Sequence, residues 1–449
     1  MLWLVQALLR RRLASRGVQE PAYLDAMSER FGYYPDYPGR PAAHGGLTVW
    51  VHAVSLGETR AAAVLLAQLR ERLPGMRLLL THGTATGRME GAHLLQPGDV
   101  QTWQPWDTPG AVTRFLTHFQ PAMGILMETE LWPNLAALCQ RAGVPLVLAN
   151  ARLSEKSLAR TLRLAWLARP AYQSLAAVWA QTDDDARRLS RLGAPVQGVF
   201  GNLKFDATPD AAQLARGRAW RQALGRPVVV FASSREGEEE AFLKIFRQKC
   251  RLALDSISLS APDSGVPEVQ WLLVPRHPQR FAEVAALVRA HGFGVSRRSQ
   301  WMEGPPTGLP PAAPGGAPPI APVIWLGDSL GEMALYYGLA DVALLGGSFE
   351  PLGGQNLIEA AACACPVVMG PHTFNFAEAA ELAQTAGAAL RVASLDQAVI
   401  TAQTWVSKPA EQVRRAAAGM AFSSANRGAV ARTTNAVVTL LDQQRVDAL

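Results

Sequence analysis

Residues 47–82 read LTVWVHAVSLGETRAAAVLLAQLRERLPGMRLLLTH. An apolar run, LTVWVHA, meets a Ser-x-x-Glu corner at Ser55 and Glu58, an alanine-rich stretch follows, Pro74 and Gly75 end it, and a second apolar run begins at MRLLLTH. Continuous Val/Leu/Ile runs alternating with helical stretches indicate parallel strands covered on both faces. The same alternation continues outward through AMGILME, PLVLANA, AVWAQT and VQGVFG, and resumes with PVVVFAS, QWLLVPR, PVIWLG, DVALLGG and CPVVMG. Amphipathic stretches lie between the strands, among them residues 60–72, 157–168 and 184–192. The series pauses at GNLKFDATPD, which reads as a linker. The expected fold class is therefore α/β, with two Rossmann-like, doubly wound parallel-sheet domains of about 200 residues each facing a cleft. In open parallel sheets, ligands bind outside the carboxyl ends of the strands. The residues that follow each strand are the ones to examine.

At 449 residues, with 49% hydrophobic and 18% charged side chains, the chain has ample core for more than one domain. A net charge of +6 that is dispersed along the chain suits an anionic substrate or membrane surface better than nucleic acid, and no nucleic-acid motif is present. The four cysteines (Cys139, Cys250, Cys363 and Cys365) form no CxxC pair, and no histidine stands at metal-ligand spacing, so neither a zinc site nor a disulfide framework is expected. Residues 1–9 are apolar and are followed by Arg10, Arg11, Arg12 and Arg16. The run is too short to span a bilayer, and its charge lies on the wrong side for a signal peptide. It fits a helix lying in an anionic interface, or one packed on the protein. Residues 256–267 and 304–322 are Pro/Gly-rich insertions that read as surface loops.

Each strand end admits a structural and a chemical reading. Ser55 and Glu58 form a capping box, which by itself accounts for both residues. The helix start would favour the ionised carboxylate, so Glu58 needs partial desolvation to act as a base. Glu128 and Glu130 follow AMGILM, either as an acid–base pair or as first-turn acids, and Lys204 lies in the linker as a point charge or a solvated lysine. Ser233 and Ser234 end PVVVFASS, and the acids 238–240 complement a helix dipole. Arg276 is flanked by Pro275 on one side and by His277 and Pro278 on the other, which presents its guanidinium rigidly. Gly327, Asp328, Ser329, Leu330, Gly331 and Glu332 form a tight strand-to-helix turn. Gly353, Gly354, Gln355 and Asn356 open a helix whose free N–H groups can cradle a phosphate, followed by Leu357, Ile358 and Glu359, the last able to accept hydrogen bonds from ribose. Asp183 to Asp185 resemble a metal-binding Asp-x-Asp, but Thr182 and Asp185 form a capping box.

In order along the chain, HAVSLGE, METELWPN, NARLSEKS, GNLKFD, PRHPQRF, GDSLGEM and GGQNLIEAA with MGPHTFNF resemble the 3-deoxy-D-manno-octulosonic acid (Kdo) transferases, glycosyltransferases of lipopolysaccharide biosynthesis. The resemblance implies a GT-B fold, in which an acceptor domain (41–205) follows a membrane-associating segment (1–40) and precedes a donor domain (206–427) and a C-terminal helix (428–449). It implies inverting, metal-independent transfer from CMP-Kdo to lipid IVA, at the cytoplasmic face of the bacterial inner membrane and without a cofactor. Glu58 falls on the family's general base, and Glu128 and Lys204 fall on its transition-state stabilisers. Pro275, Arg276, Leu330, Gly331, Glu332, Asn356, Leu357, Ile358 and Glu359 fall on its CMP contacts. A GT-B enzyme using a UDP-sugar, or a catalytically silent nucleotide- or lipid-binding module, are the alternatives.

Overall fold

The computed structural model describes residues 17, 20–35, 46–257, 269–306 and 322–447. They form two compact units: Met1–Ala207 together with Asn426–Leu449, and Thr208–Ala425.

The first unit contains β1 (Thr48–His52), β2 (Arg77–His82), β3 (Val100–Trp103), β4 (Met123–Met127), β5 (Leu146–Ala151), β6 (Ala177–Ala180) and β7 (Val196–Val199). All pairs are parallel, in the order β3-β2-β1-β4-β5-β6-β7. Every residue of β1, β4, β5 and β6 is buried, as continuous apolar strands require when helices cover both faces. Ser55 caps the helix Leu56–Arg72, which turns Ala61, Ala62, Leu65, Leu66 and Leu69 inward. These residues share one core with Val49, Val51 and Trp179, and with Ala429, Val430, Val437 and Leu441 of the C-terminal helix Ala429–Asp447. The strand order reverses between β1 and β4, so the ligand crevice of this sheet opens where Ser55–Glu58 and Glu128–Glu130 emerge.

The second unit repeats the plan with β8 (Val228–Ser234), β9 (Gln270–Pro275), β10 (Gly294–Arg297), β11 (Val323–Leu326), β12 (Val342–Leu345), β13 (Val367–Met369) and β14 (Ala389–Arg391). The order is β10-β11-β9-β8-β12-β13-β14, again all parallel, and it reverses between β8 and β12.

The structure departs from the sequence reading at several points. Strands β3, β10 and β14 were not anticipated; each has three or four residues and lies at a sheet edge, where one neighbour suffices and the apolar run is short. Residues 203–206 are not linker but a 3-10 turn of the first unit, because Leu203 and Phe205 are buried. The stretch 157–168 divides into two helices, Glu155–Leu162 and Ala165–Gln173. Within 1–40, Glu29 and Arg30 are buried against the first unit, with Glu29 accepting from Trp103 N–H at 2.9 Å. Residues 1–16, with their four arginines, and most of both Pro/Gly-rich insertions (258–268 and 307–321) lie outside the described residues. Among the described residues, no helix is long and apolar enough to cross a membrane.

Candidate active site

In the first unit the corner after β1 holds Glu58 from both sides. One carboxylate oxygen accepts the Val54 N–H at 2.8 Å, and the other accepts the Ser55 hydroxyl at 3.1 Å. The reciprocal bond from Glu58 N–H to Ser55 Oγ is long, at 3.4 Å. The capping box therefore exists, with the carboxylate reaching one residue further back than the usual N-cap N–H. Burial pushes the Glu58 carboxyl up to about 7. The Val54 N–H and Ser55 hydroxyl oppose the rise, and the charges of Glu128 and Glu130 add to it. Glu130 is itself raised by burial, against a hydrogen bond from Trp132.

Glu128, buried at the end of β4, adopts φ +59°, a left-handed conformation held by its own N–H to Ala149 O (3.0 Å) and by Arg152 N–H to its carbonyl (3.2 Å). Its carboxylate accepts Lys204 Nζ at 2.9 Å, and Arg152 Nε lies 3.7 Å from the other oxygen. Lys204 is delivered by the turn Leu203–Asp206, whose first N–H is taken by Asn150 Oδ1 at 3.0 Å. The same turn is fixed from behind by Asp206, whose two oxygens accept Gly428 N–H and Val430 N–H at 2.6 Å each. The C-terminal helix thereby fixes the lysine-bearing turn. Glu58, Glu128 and Lys204 are brought together, with Arg152 and Asp206 as supports. Both supports lie in quoted motifs, but no local spacing marks their roles.

In the second unit, Pro275 closes β9 opposite Ser234 across a bulge, with Ser233 at φ +56°. Gly346 approaches this bulge so closely that a Cβ would lie 2.2 Å from Ser233 O. Arg235, Arg276 and Arg280 all act on His277, which burial, the largest cause, and these positive charges hold below its ordinary value. Arg276 and Glu359 both lie close enough for their charges to act on the buried Tyr337 hydroxyl, which burial drives upward. The turn after β11 is clipped at both ends. Asp328 accepts Arg297 Nε (2.7 Å) and Ser299 N–H (2.8 Å), while Glu332 accepts Arg298 (2.8 Å) and the Ser329 hydroxyl (2.5 Å). Burial would raise the Asp328 carboxyl, but these Ser299 and Arg297 contacts outweigh it and hold it low. Leu330 projects from this turn, and Gly331 occupies φ +75°.

The Gly-rich segment after β12 corrects the expected phosphate cradle in one respect. The helix is short (Leu357–Ala362), and the Asn356 side chain already takes the Ile358 N–H at 3.1 Å. Leu357 and Ile358 are buried, so only their backbone can face a ligand. The loop is instead shaped by Glu238, a buried carboxylate that accepts Gly347 N–H (2.7 Å), Arg235 N–H (2.9 Å) and Phe349 N–H (3.1 Å). Burial raises the Glu238 carboxyl, and those three N–H groups oppose the rise. The acid run 238–240 is thus divided: Glu239 is buried against Arg280 at 2.8 Å, and only Glu240 is a surface acid, paired with Lys244. Among the described residues no group of three or more His, Cys, Asp or Glu side chains could hold a metal ion. Asp185 instead caps its helix with Thr182 and accepts Leu153 N–H at 2.8 Å.

Residues 25–207 match the family described as 3-Deoxy-D-manno-octulosonic-acid transferase (kdotransferase). A 3-deoxy-D-manno-octulosonic acid transferase of Bordetella pertussis is 46% identical over 394 residues, covering 87% of this chain and 86% of its own. One from Haemophilus influenzae is 30% identical over 450 residues, covering 99% and 98%. Among solved structures, a UDP-GlcNAc 2-epimerase from Neisseria meningitidis bound to UDP-GlcNAc aligns with a TM-score of 0.54 at 13% identity, over 88% of this chain and 100% of that one. At that identity the likeness is one of fold: two doubly wound parallel sheets, the GT-B architecture.

Proposed function

The chain belongs to the 3-deoxy-D-manno-octulosonic acid transferase family, and from that premise we propose that it transfers Kdo from CMP-Kdo to lipid IVA, with inversion, without a metal, and with Glu58 as general base. One observation carries the mechanistic part. Glu58 stands at the switch point of the first sheet, half-buried, held by two donors and raised to about 7. A carboxylate tuned there has enough basicity to accept a hydroxyl proton in neutral solution, where about half of it is ionised.

In this reading Glu58 removes the proton from a glucosamine hydroxyl of the acceptor. The freed oxygen attacks the anomeric carbon of Kdo, the bond to the CMP phosphate breaks, and the phosphate oxygen takes the bonding pair. The passing state is oxocarbenium-like. Glu128 and Lys204, already ion-paired, balance charge as it forms. The first unit takes the acceptor. The second takes CMP-Kdo through Pro275, Arg276, the turn Leu330, Gly331 and Glu332, and residues 356–359. Support for the second assignment comes from the convergence of Arg276 and Glu359 on Tyr337 and from the clipped turn after β11.

A position at an anionic membrane surface, the cytoplasmic face of the inner membrane, is part of the same proposal. The helix Ala165–Gln173 leaves Trp166 76% exposed, beside Leu164 at 54% and Leu167 at 41%. Residues 152–169 also carry Arg152, Lys156, Arg160, Arg163 and Arg169 against the single acid Glu155. Exposed aromatic and leucine side chains within a basic stretch of sequence suit a lipid interface with anionic headgroups.

The test is incubation of the purified protein with lipid IVA and a CMP-Kdo-generating system, followed by mass analysis of the lipid. A gain of whole Kdo residues supports the reading and counts the additions. An unchanged acceptor in the presence of CMP binding would sink it.

A further inference from the structure

Residues 81–84, THGT, close β2 and cradle the turn that carries Glu58. Thr84 donates to Val54 O through its hydroxyl at 2.7 Å and its N–H at 3.0 Å. Two residues earlier, His82 Nδ1 bonds Ala53 O at 2.8 Å. That oxygen belongs to the Ala53–Val54 amide, and the N–H of the same amide donates to Glu58 at 2.8 Å. A single peptide plane thus links the imidazole to the carboxylate.

The state of His82 follows from its other neighbour. Gln101 Nε2 lies 3.0 Å from His82 Nε2 and 2.7 Å from Arg88 O. The amide nitrogen can only donate, so His82 Nε2 is a lone-pair acceptor and the proton sits on Nδ1, directed at Ala53 O. The ring is fully buried, and Gly91 is tight against it: a Cβ there would lie 2.4 Å from Nε2. Burial, the largest cause, with Arg88 nearby, holds His82 down to about 4, against its bond to Ala53, so it is neutral wherever the protein would work.

We propose that His82 is a positioning residue for the base: by donating to the Ala53 carbonyl it fixes and polarises the amide whose N–H holds the Glu58 carboxylate. This rests on the assignment of Glu58 as base. A hydrogen bond into a carbonyl strengthens the donation from its own N–H. Without the imidazole donor, Ala53 O loses its partner, the amide tilts, and the carboxylate loses part of the bond that favours its ionised form. The other charges acting on Glu58 are Glu128 and Glu130, with Lys204 and Arg152 on Glu128; none of them is altered by a change at His82.

The experiment compares His82→Leu, His82→Asn and Glu58→Gln with the native protein, recording kcat and kcat/KM for Kdo transfer from pH 5.5 to 8.5. Asn can place its amide N–H near the Nδ1 position and restore the donor. The expected result for His82→Leu is about a tenfold fall in kcat, with the acid limb displaced upward by about half a pH unit. His82→Asn should recover most of both, and KM for the acceptor should change little. An acid limb for His82→Leu that coincides with the native one would overturn the inference. If neither His82 variant folds, as judged by thermal melting, the native protein is read in their place by nitrogen NMR of its histidine rings. The expected His82 ring carries its proton on Nδ1, and a ring protonated on Nε2 alone, with no donor to Ala53 O, is equally fatal. Near-native turnover by Glu58→Gln would instead remove the base assignment itself, so the two failures are distinguishable.

Discussion

Replacing Glu58 with glutamine should slow the enzyme and stabilise the protein, and the stabilisation should depend on pH. Gln is isosteric, and its carbonyl oxygen can still accept the Val54 N–H, so the corner keeps its shape. The native carboxyl rises from an ordinary 4.5 to about 7, chiefly through burial and with a contribution from Glu128. That displacement corresponds to about 3 kcal/mol of cost for holding the charged form in the fold, and to about 2 kcal/mol once solvent screening of a half-buried group is allowed for. The sign follows from proton uptake. Between pH 4.5 and about 7 the folded chain keeps a proton that the unfolded chain has lost, so the stability this group confers in acid disappears as pH climbs through that window. Glutamine does not titrate. The variant should therefore match the native protein near pH 4.5 and melt about 5 °C higher at pH 8 in the transition of the first unit. Scanning calorimetry at the two pH values reads this directly. In parallel, kcat should fall by about 10²- to 10⁴-fold, while native activity should drop about tenfold per pH unit below 7 as the base becomes protonated. A stability gain equal at both pH values, or a variant within threefold of native turnover, would refute the reasoning.

Three further outcomes can be checked independently. Asp206→Ala removes both acceptors that hold Gly428 and Val430 N–H at the start of the C-terminal helix, and should cost about 1–2 kcal/mol, seen as a lowered Tm together with reduced kcat because Lys204 shares that turn. Gly353→Ala places a Cβ 2.3 Å from Asn375 Nδ2 at a residue with φ +92°; CMP affinity by calorimetry should weaken about tenfold, and unchanged affinity would separate this loop from the donor site. Changing Leu164, Trp166 and Leu167 together to serine should reduce co-flotation with phosphatidylglycerol vesicles about tenfold, and leave turnover of detergent-dispersed acceptor within about twofold. Equal flotation would move the lipid contact elsewhere.

Features that depend on neighbours a few residues away can be read along the chain. Runs of Val, Leu and Ile bounded by Ser55, Pro74 and Gly75 specify strand, helix and strand, because their hydrogen bonds and buried faces close locally or through generic parallel pairing. The Ser55–Glu58 corner, the Thr182–Asp185 cap and the glycine-rich turns were legible for the same reason. The three edge strands were not, since a strand of three or four residues at a sheet edge owes its conformation to the one partner it pairs with. Nor could spacing show that Lys204 leaves the apparent linker to pair with Glu128, 76 positions away, or that Glu238 shapes a loop more than a hundred residues downstream. The basicity of Glu58 belongs to the tertiary structure alone. A carboxyl's protonation responds to the water it has lost and to charges acting through space, and Glu128 and Glu130 reach it only because β4 lies beside β1.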